Sequence, residues 1–396
     1  MICRITKKLR FSSNKFSNIN SMKNKQLFLF LFLAVFSIAN SQTITLPFTQ
    51  TENKWEVFAY NGEPNIYPKV ESFMGKESVL LKRSTFLITK DVDLRDGTIE
   101  FDINFPEVRN FPGILFRMIN PPNAENFYIG PGNSGKKDAV RYTPLYNFQQ
   151  AWQLYHVNEY SETYNFKYNF WHHIKIELTG YKAEFYIDDM QKPLITTHEL
   201  KRGWQSGKIA LMADENDLHF ANFQYSIKTI LVPPIKIPRN GENGLITEWS
   251  VSNAVDKKVF EGQNQLSPEI KKKLTWTKAT TDSIGILNMS RFSNISPTTN
   301  TMIAKLDFIS VNDQFKGISF GFSDHVKVFL NGNLIYAGED MYGSRDDKFL
   351  GTIGFFDKLY LPLKKGKNEL YFVVTEFFGG WGVKAKFENM DEISLR

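Results

Sequence analysis

From Ser78 onward, apolar and polar positions alternate with a period of two in short runs, and turn-forming residues separate the runs. SVLLKRSTFLITKDVDL, GTIEFDINF, GILFRMIN, NFYIG, AWQLYHV, HHIKIEL, KAEFYIDD, GKIALMA and HFANFQYS each read as strands with one face toward a core. No stretch sustains the 3.6-residue period of a long helix. The pattern breaks at ILVPPIKIPRNGENG, where Pro233, Pro234 and Pro238 remove backbone donors and Gly241 and Gly244 add freedom. Residues 231–244 are therefore expected to link two domains. A second strand-rich region carries TMIAKLDFISV, GISFGFS, HVKVFLNGNLIYAGE, KLYLPL, NELYFVVTEFF and GVKAKFE. Within it, Asn331-Gly332 between two β-runs predicts a type I′ hairpin, because this pair tolerates positive φ. The one helical candidate is SPEIKKKL, capped by Ser267. The expected fold class is all-β: two antiparallel β-sandwiches of the jelly-roll type, over residues 42–230 and 245–396.

The front of the chain changes the electrostatics. Lys23 and Lys25 precede an apolar run from Leu27 to Ala39 broken only by Ser37, and Ala39, Asn40 and Ser41 are small residues before Gln42. This is the pattern of a cleaved signal peptide starting at Met22, and the run is too short to span a bilayer comfortably. Residues 1–41 are thus expected to be a leader, and the mature protein to be secreted or periplasmic with no membrane span. The leader holds seven bases and no acid, so the 48 bases of the whole chain fall to 41 against 42 acids, a net charge of −1. A nucleic-acid partner loses its physical basis, a basic surface field. The one cysteine, Cys3, also lies in the leader, which removes disulfides and thiol chemistry from the mature chain.

Residues 42–230 resemble the concanavalin A-like lectin/glucanase superfamily in its laminin-G-like branch. The residues that carry this are DGTIEFDINF, GILFRM, FYIGP with DAVRYTPLYN and AWQLYH, FWHHIKIELTGYKAEFYIDD, and GKIALMA with FANFQYS. The same order is similar to bacterial 3-keto-disaccharide hydrolases. Residues 245–396 resemble a galactose-binding-like jelly roll, on FGFSDHVKVFLNGNLIYAG and LYLPLKKGKNELYFVVTE. The resemblance implies a polysaccharide or oligosaccharide partner, and the expected function is a secreted carbohydrate-binding, lectin-like accessory in polysaccharide recognition or breakdown. The alternatives are a glycoside hydrolase or lyase of this fold acting on a modified di- or oligosaccharide, and a non-catalytic adhesion or scaffold module, since one fold hosts them all. Laminarinase-type members carry E-x-D-x-x-E on one strand; here Glu100 and Asp102 fit, but Phe105 stands where the last acid belongs.

Alternation nominates the binding residues. Arg117, Tyr128, Arg141, Gln153 and Tyr155 are expected on one sheet face, aromatic plates with polar forks between them. Sugars suit such a face, stacking C–H surfaces on rings while hydroxyls meet flanking donors. The two guanidiniums extend the expectation to anionic glycans. If the protein is an enzyme, Glu100, Asp138 and His156 are the candidate catalytic groups. His172 and His173 must point to opposite faces of their strand and cannot chelate together, and no other histidine spacing suits zinc. The cofactor expectation is none, with calcium allowed at the acidic run Asp214, Glu215, Asn216 and Asp217. No nucleophile elbow is present, and neither GPGNSGKKD nor FFGGWG is a phosphate loop.

Overall fold

The computed structural model describes residues 42–235, 242–345 and 350–396. The leader, and Pro238 and Gly241 of the expected linker, lie outside the described residues. No described helix is long and apolar enough to cross a membrane.

Strand alternation produces the layers. Along Gly97–Asn104, Ile99, Phe101 and Ile103 enter one apolar core while Glu100, Asp102 and Asn104 leave it. Sheet 1 sets this strand between His172–Thr179 and Leu218–Ile227, with Lys182–Ile187 and Lys76–Leu81 outside them. Sheet 2 runs through Val140–Tyr146, Asn123–Ile129, Gly113–Asn120, Lys208–Ala213, Thr85–Thr89 and Trp55–Ala59. Ile114, Phe116, Phe127, Tyr142 and Leu211 face sheet 1 across the same core. Phe127 stacks on Phe185 at 4.4 Å, joining the two layers. Each such ring buried contributes roughly 1.5–3 kcal/mol of transfer free energy. Sheet 2 also has a covered outer face. There Leu115, Met118, Tyr128, Phe86 and Met212 form a second apolar cluster, rimmed by Phe58, Tyr60, Phe111 and Trp152.

The C-terminal sandwich repeats the principle. A seven-stranded sheet centred on Thr301–Ser310 and Gly366–Thr375 packs on a four-stranded sheet centred on Gln314–Phe322 and Gly382–Phe387. The hairpin forms at Asn331 and Gly332, with φ of 52° and 86°. The helix Pro268–Lys272 starts at Ser267, whose hydroxyl accepts from the Ile270 N–H.

The two sandwiches share buried polar contacts. Gln153 donates its backbone N–H to Gly379 and its side-chain amide to Leu350, and accepts from Ser323. Lys201 bridges Glu199 and Asp282 at 2.8 and 3.2 Å, with its side chain sealed from solvent. Such a paired cation at a junction fixes register, since either carboxylate left alone in the interior is costly.

Candidate functional site

Tyr128 and Arg141 are cross-strand partners in sheet 2. Their sequence neighbours Phe127, Ile129, Val140 and Tyr142 fill the core, so both side chains emerge on the outer face. The preceding turn brings Asp138 to 3.7 Å from the Arg141 guanidinium, and Asn133 donates to the same carboxylate. The Ala151–His156 segment closes over the other side. Arg141 donates to the Trp152 carbonyl at 2.7 Å and meets His156 Nδ1 at 2.8 Å, and its guanidinium lies 5.2 Å from the Trp152 ring centre. Four expected residues therefore assemble: Tyr128, Asp138, Arg141 and His156.

Protonation states follow from this packing. Burial, reinforced by Arg141 and Lys137, pulls His156 down to about 4, so its imidazole is neutral at pH 7. A guanidinium only donates, so Nδ1 accepts and the ring proton resides on Nε2. Burial lifts the Tyr128 phenol to about 12 despite Arg141, leaving an O–H donor. Two positions along the same strand face, the Asn126 amide is fully buried and neither of its polar atoms has a hydrogen-bond partner in the protein. Buried amides are nearly always satisfied, which sets Asn126 apart from its neighbours on this face. Nearby, Tyr60 donates to Asp214 at 2.7 Å, and burial raises the Asp214 carboxyl above its usual range.

The remaining expected residues go elsewhere. Arg117 is 0% exposed and sits at φ 47° where the register of its strand shifts. Its guanidinium donates to the carbonyls of Arg95, Gly203 and Gly180 and pairs with Asp96 at 3.4 Å. It is a structural clamp rather than part of an open face. Gln153 lies in the junction described above. Tyr155 points into the core against Tyr160, because Trp152–Leu154 form a turn rather than the expected strand. The open aromatic face running from Arg117 to Tyr155 does not exist. Arg141 itself is 1% exposed, so access to this group runs through Asp138, His156 and Trp152, which are only partly buried.

Glu100 belongs to a separate network on the outer face of sheet 1. His173 Nδ1 lies 2.7 Å from Asp102 and its Nε2 lies 3.3 Å from Glu100. Lys76 pairs with Asp102 at 2.6 Å. Asn222 donates to Asp102 from a bulge at φ 53°, and Gln224 donates to Glu100. Hydrogen bonding to Asp102 raises the His173 pKa. Burial pushes the Asp102 carboxyl up, but hydrogen bonds from His173, Lys76 and Asn222 outweigh it and hold it low. His172 turns inward, stacked on Phe105 and bonded to Asp188, as the opposite-face rule requires. Phe105 is core, which leaves the glucanase pattern without its final acid. Sequence reasoning missed Lys76 and Asn222, because cross-strand register and a bulge bring them here. The acidic run disperses: Asp214 faces Tyr60, Glu215 pairs with Arg109, and Asp217 with Lys82. Among the described residues no three His, Cys, Asp or Glu side chains converge as metal ligands.

The elements that build both networks lie within one recognisable stretch. Residues 49–225 match the family of 3-keto-alpha-glucoside-1,2-lyase-like domains. The lyase-like match thus covers the Tyr128–Arg141 group and the Glu100–His173 network alike, and stops before the C-terminal sandwich. No curated protein matches the chain. Similar solved structures include a carbohydrate-binding module from Bacillus subtilis, with a TM-score of 0.31, 17% identity, and coverage of 40% of this chain and 91% of that one. A native glycosidic hydrolase has a TM-score of 0.35 and 15% identity, covering 48% and 98%. A Bacillus licheniformis beta-glucanase has a TM-score of 0.32 and 13% identity, covering 48% and 100%.

Proposed function

We propose that the N-terminal sandwich is a carbohydrate-active domain that cleaves a keto-sugar glycoside by elimination, on the outer face of sheet 2. The observation that carries this reading is the Tyr128–Asp138–Arg141–His156 group: one carboxylate and three donors, largely withdrawn from water. A ketone at C3 acidifies the hydrogen on C2. Removing that proton gives an enolate; when its electrons return, the C3 carbonyl reforms, a C1–C2 double bond appears, and the C1–O bond breaks to release an alcohol. The step needs no oxidant. It needs a base, donors for the enolate oxygen and a proton for the departing C1 oxygen, which the protonated base returns. Asp138 is the base in this reading, Arg141 and Tyr128 hold the oxygen, and His156 presents an Nε2–H rather than accepting a proton. The family match over residues 49–225 agrees with a lyase of this kind.

The test is to incubate the residue 42–396 protein with methyl 3-keto-α-glucoside and follow methanol release and the unsaturated ketone by ultraviolet absorbance. Appearance of both, lost in Asp138→Asn, supports the reading; binding without product contradicts the chemistry. A lectin-like role is the second reading, favoured by Trp152 lying beside the Arg141 cation as a stacking plate. It predicts retention on saccharide columns with no product. The preference for anionic glycans has lost one of its two cations, since Arg117 is spent on backbone carbonyls and Asp96. Export remains part of the proposal, and N-terminal sequencing of protein from an exporting host should begin at Gln42.

A further inference from the structure

The FFGGWG segment borders the same site from the C-terminal sandwich. Phe378 meets the Trp152 ring edge-on at 5.7 Å, and Tyr342 does so at 6.4 Å. The Arg141 guanidinium lies 5.2 Å from the centre of the same indole. Phe378 and Tyr342 are each 61% exposed. Large exposed rings are unremarkable on a loose loop, but this loop is held. The Asp324 carboxylate accepts both the Phe377 and Phe378 N–H groups, at 2.6 and 3.0 Å. Gly380 donates to Glu376, and the Gly379 carbonyl accepts from Gln153. Gly379 sits at φ 101°, and a Cβ there would lie 2.2 Å from the Gln153 side chain, so only glycine permits this approach. Phe378 is thus presented to solvent by a held backbone, and it and Tyr342 converge on a third ring that touches the candidate site. Grouped exposed aromatics on a pre-ordered support are a stacking surface.

We propose that Trp152, Tyr342 and Phe378 form an aromatic clamp, shared between the two sandwiches, that holds a ring-shaped aglycone while the reacting sugar reaches the Arg141 group from the side of Asp138 and His156. The inference rests on the elimination reading and adds the residues that select the leaving group, which favour one that is itself a ring. It also gives the C-terminal sandwich a role in specificity.

The test compares 3-keto-α-glucosides with methyl, glucosyl and 4-nitrophenyl aglycones on the wild type, Phe378→Ala, Tyr342→Ala and the double variant, all containing both sandwiches. Both side chains are exposed, so thermal melts should stay at the wild-type midpoint. The clamp predicts that kcat/KM for each ring aglycone, divided by that for the methyl glucoside, falls about tenfold in the double variant. A fall confined to the glucosyl or the nitrophenyl substrate identifies which ring is the occupant. Unchanged ratios with an active wild type overturn the clamp alone. A wild type that neither binds nor converts any of the three overturns the elimination reading and the clamp together.

Discussion

Two outer faces of one sandwich carry a histidine beside carboxylates, and their environments are opposite. On sheet 1, His173 lies between Glu100 and Asp102 at a half-exposed surface, and each charge has an opposite charge or a donor in contact. On sheet 2, His156 faces a guanidinium, and burial keeps it neutral. The first network uses its charges to satisfy itself. The second leaves donor capacity unspent, at the neutral imidazole Nε2–H and the buried Asn126 amide. The proposed chemistry is therefore placed with donors in a desolvated setting and not with the self-satisfied cluster of acids and histidine.

Perturbing each side in turn sharpens the contrast. The largest effect is expected from Asp138→Asn, which should lower kcat on methyl 3-keto-α-glucoside by about 10²–10⁴-fold if Asp138 is the base. Next comes Arg117→Ala, which strips the carbonyls of Arg95, Gly203 and Gly180 of a buried donor and removes one of the partners of Asp96, which keeps Trp204 and the Gly180 N–H; urea denaturation should show a loss of about 3–5 kcal/mol. The pH response should then separate the two histidines. The folded pKa of His156 lies below its unfolded value of 6.5, so the unfolded chain binds more protons between about 4 and 6.5, and stability linked to His156 should rise with pH across that window. The His173 pKa is raised, so its contribution is fully present below about 6.5 and is lost as pH rises through its folded value. Histidine NMR titrations that move in the same direction from 6.5 would break the contrast. The smallest effect belongs to His173→Gln, which should cost less than about 1 kcal/mol at this half-exposed network and leave turnover intact.

Much of the fold was legible because strand parity is a local rule. It placed Ile99, Phe101 and Ile103 opposite Glu100 and Asp102, turned His172 from His173, and put Tyr128 and Arg141 on one face. The Asn331-Gly332 hairpin and the Ser267 cap were readable for the same reason. Parity failed where the backbone left the strand. Arg117 sits on a register shift at positive φ, and residues 152–154 form a turn, so alternation could not aim Arg117, Gln153 or Tyr155. Nor does alternation reveal what covers a face. The outer face of sheet 2 is buried under its own rim, and its Trp152 edge is flanked by residues 190 or more positions later in the chain. Half of the candidate site was therefore visible, and the half that depends on turns and on the second sandwich was not.

We place the proposed chemistry on the outer face of sheet 2 and not on that of sheet 1. The most direct measurement is the rate of unsaturated-ketone release from methyl 3-keto-α-glucoside by Arg141→Lys and Glu100→Gln side by side. Lysine keeps the charge but cannot span Asp138, His156 and the Trp152 carbonyl as a planar fork. The account predicts that Arg141→Lys loses nearly all activity while Glu100→Gln turns over at the wild-type rate; an inactive Glu100→Gln beside an active Arg141→Lys would contradict it.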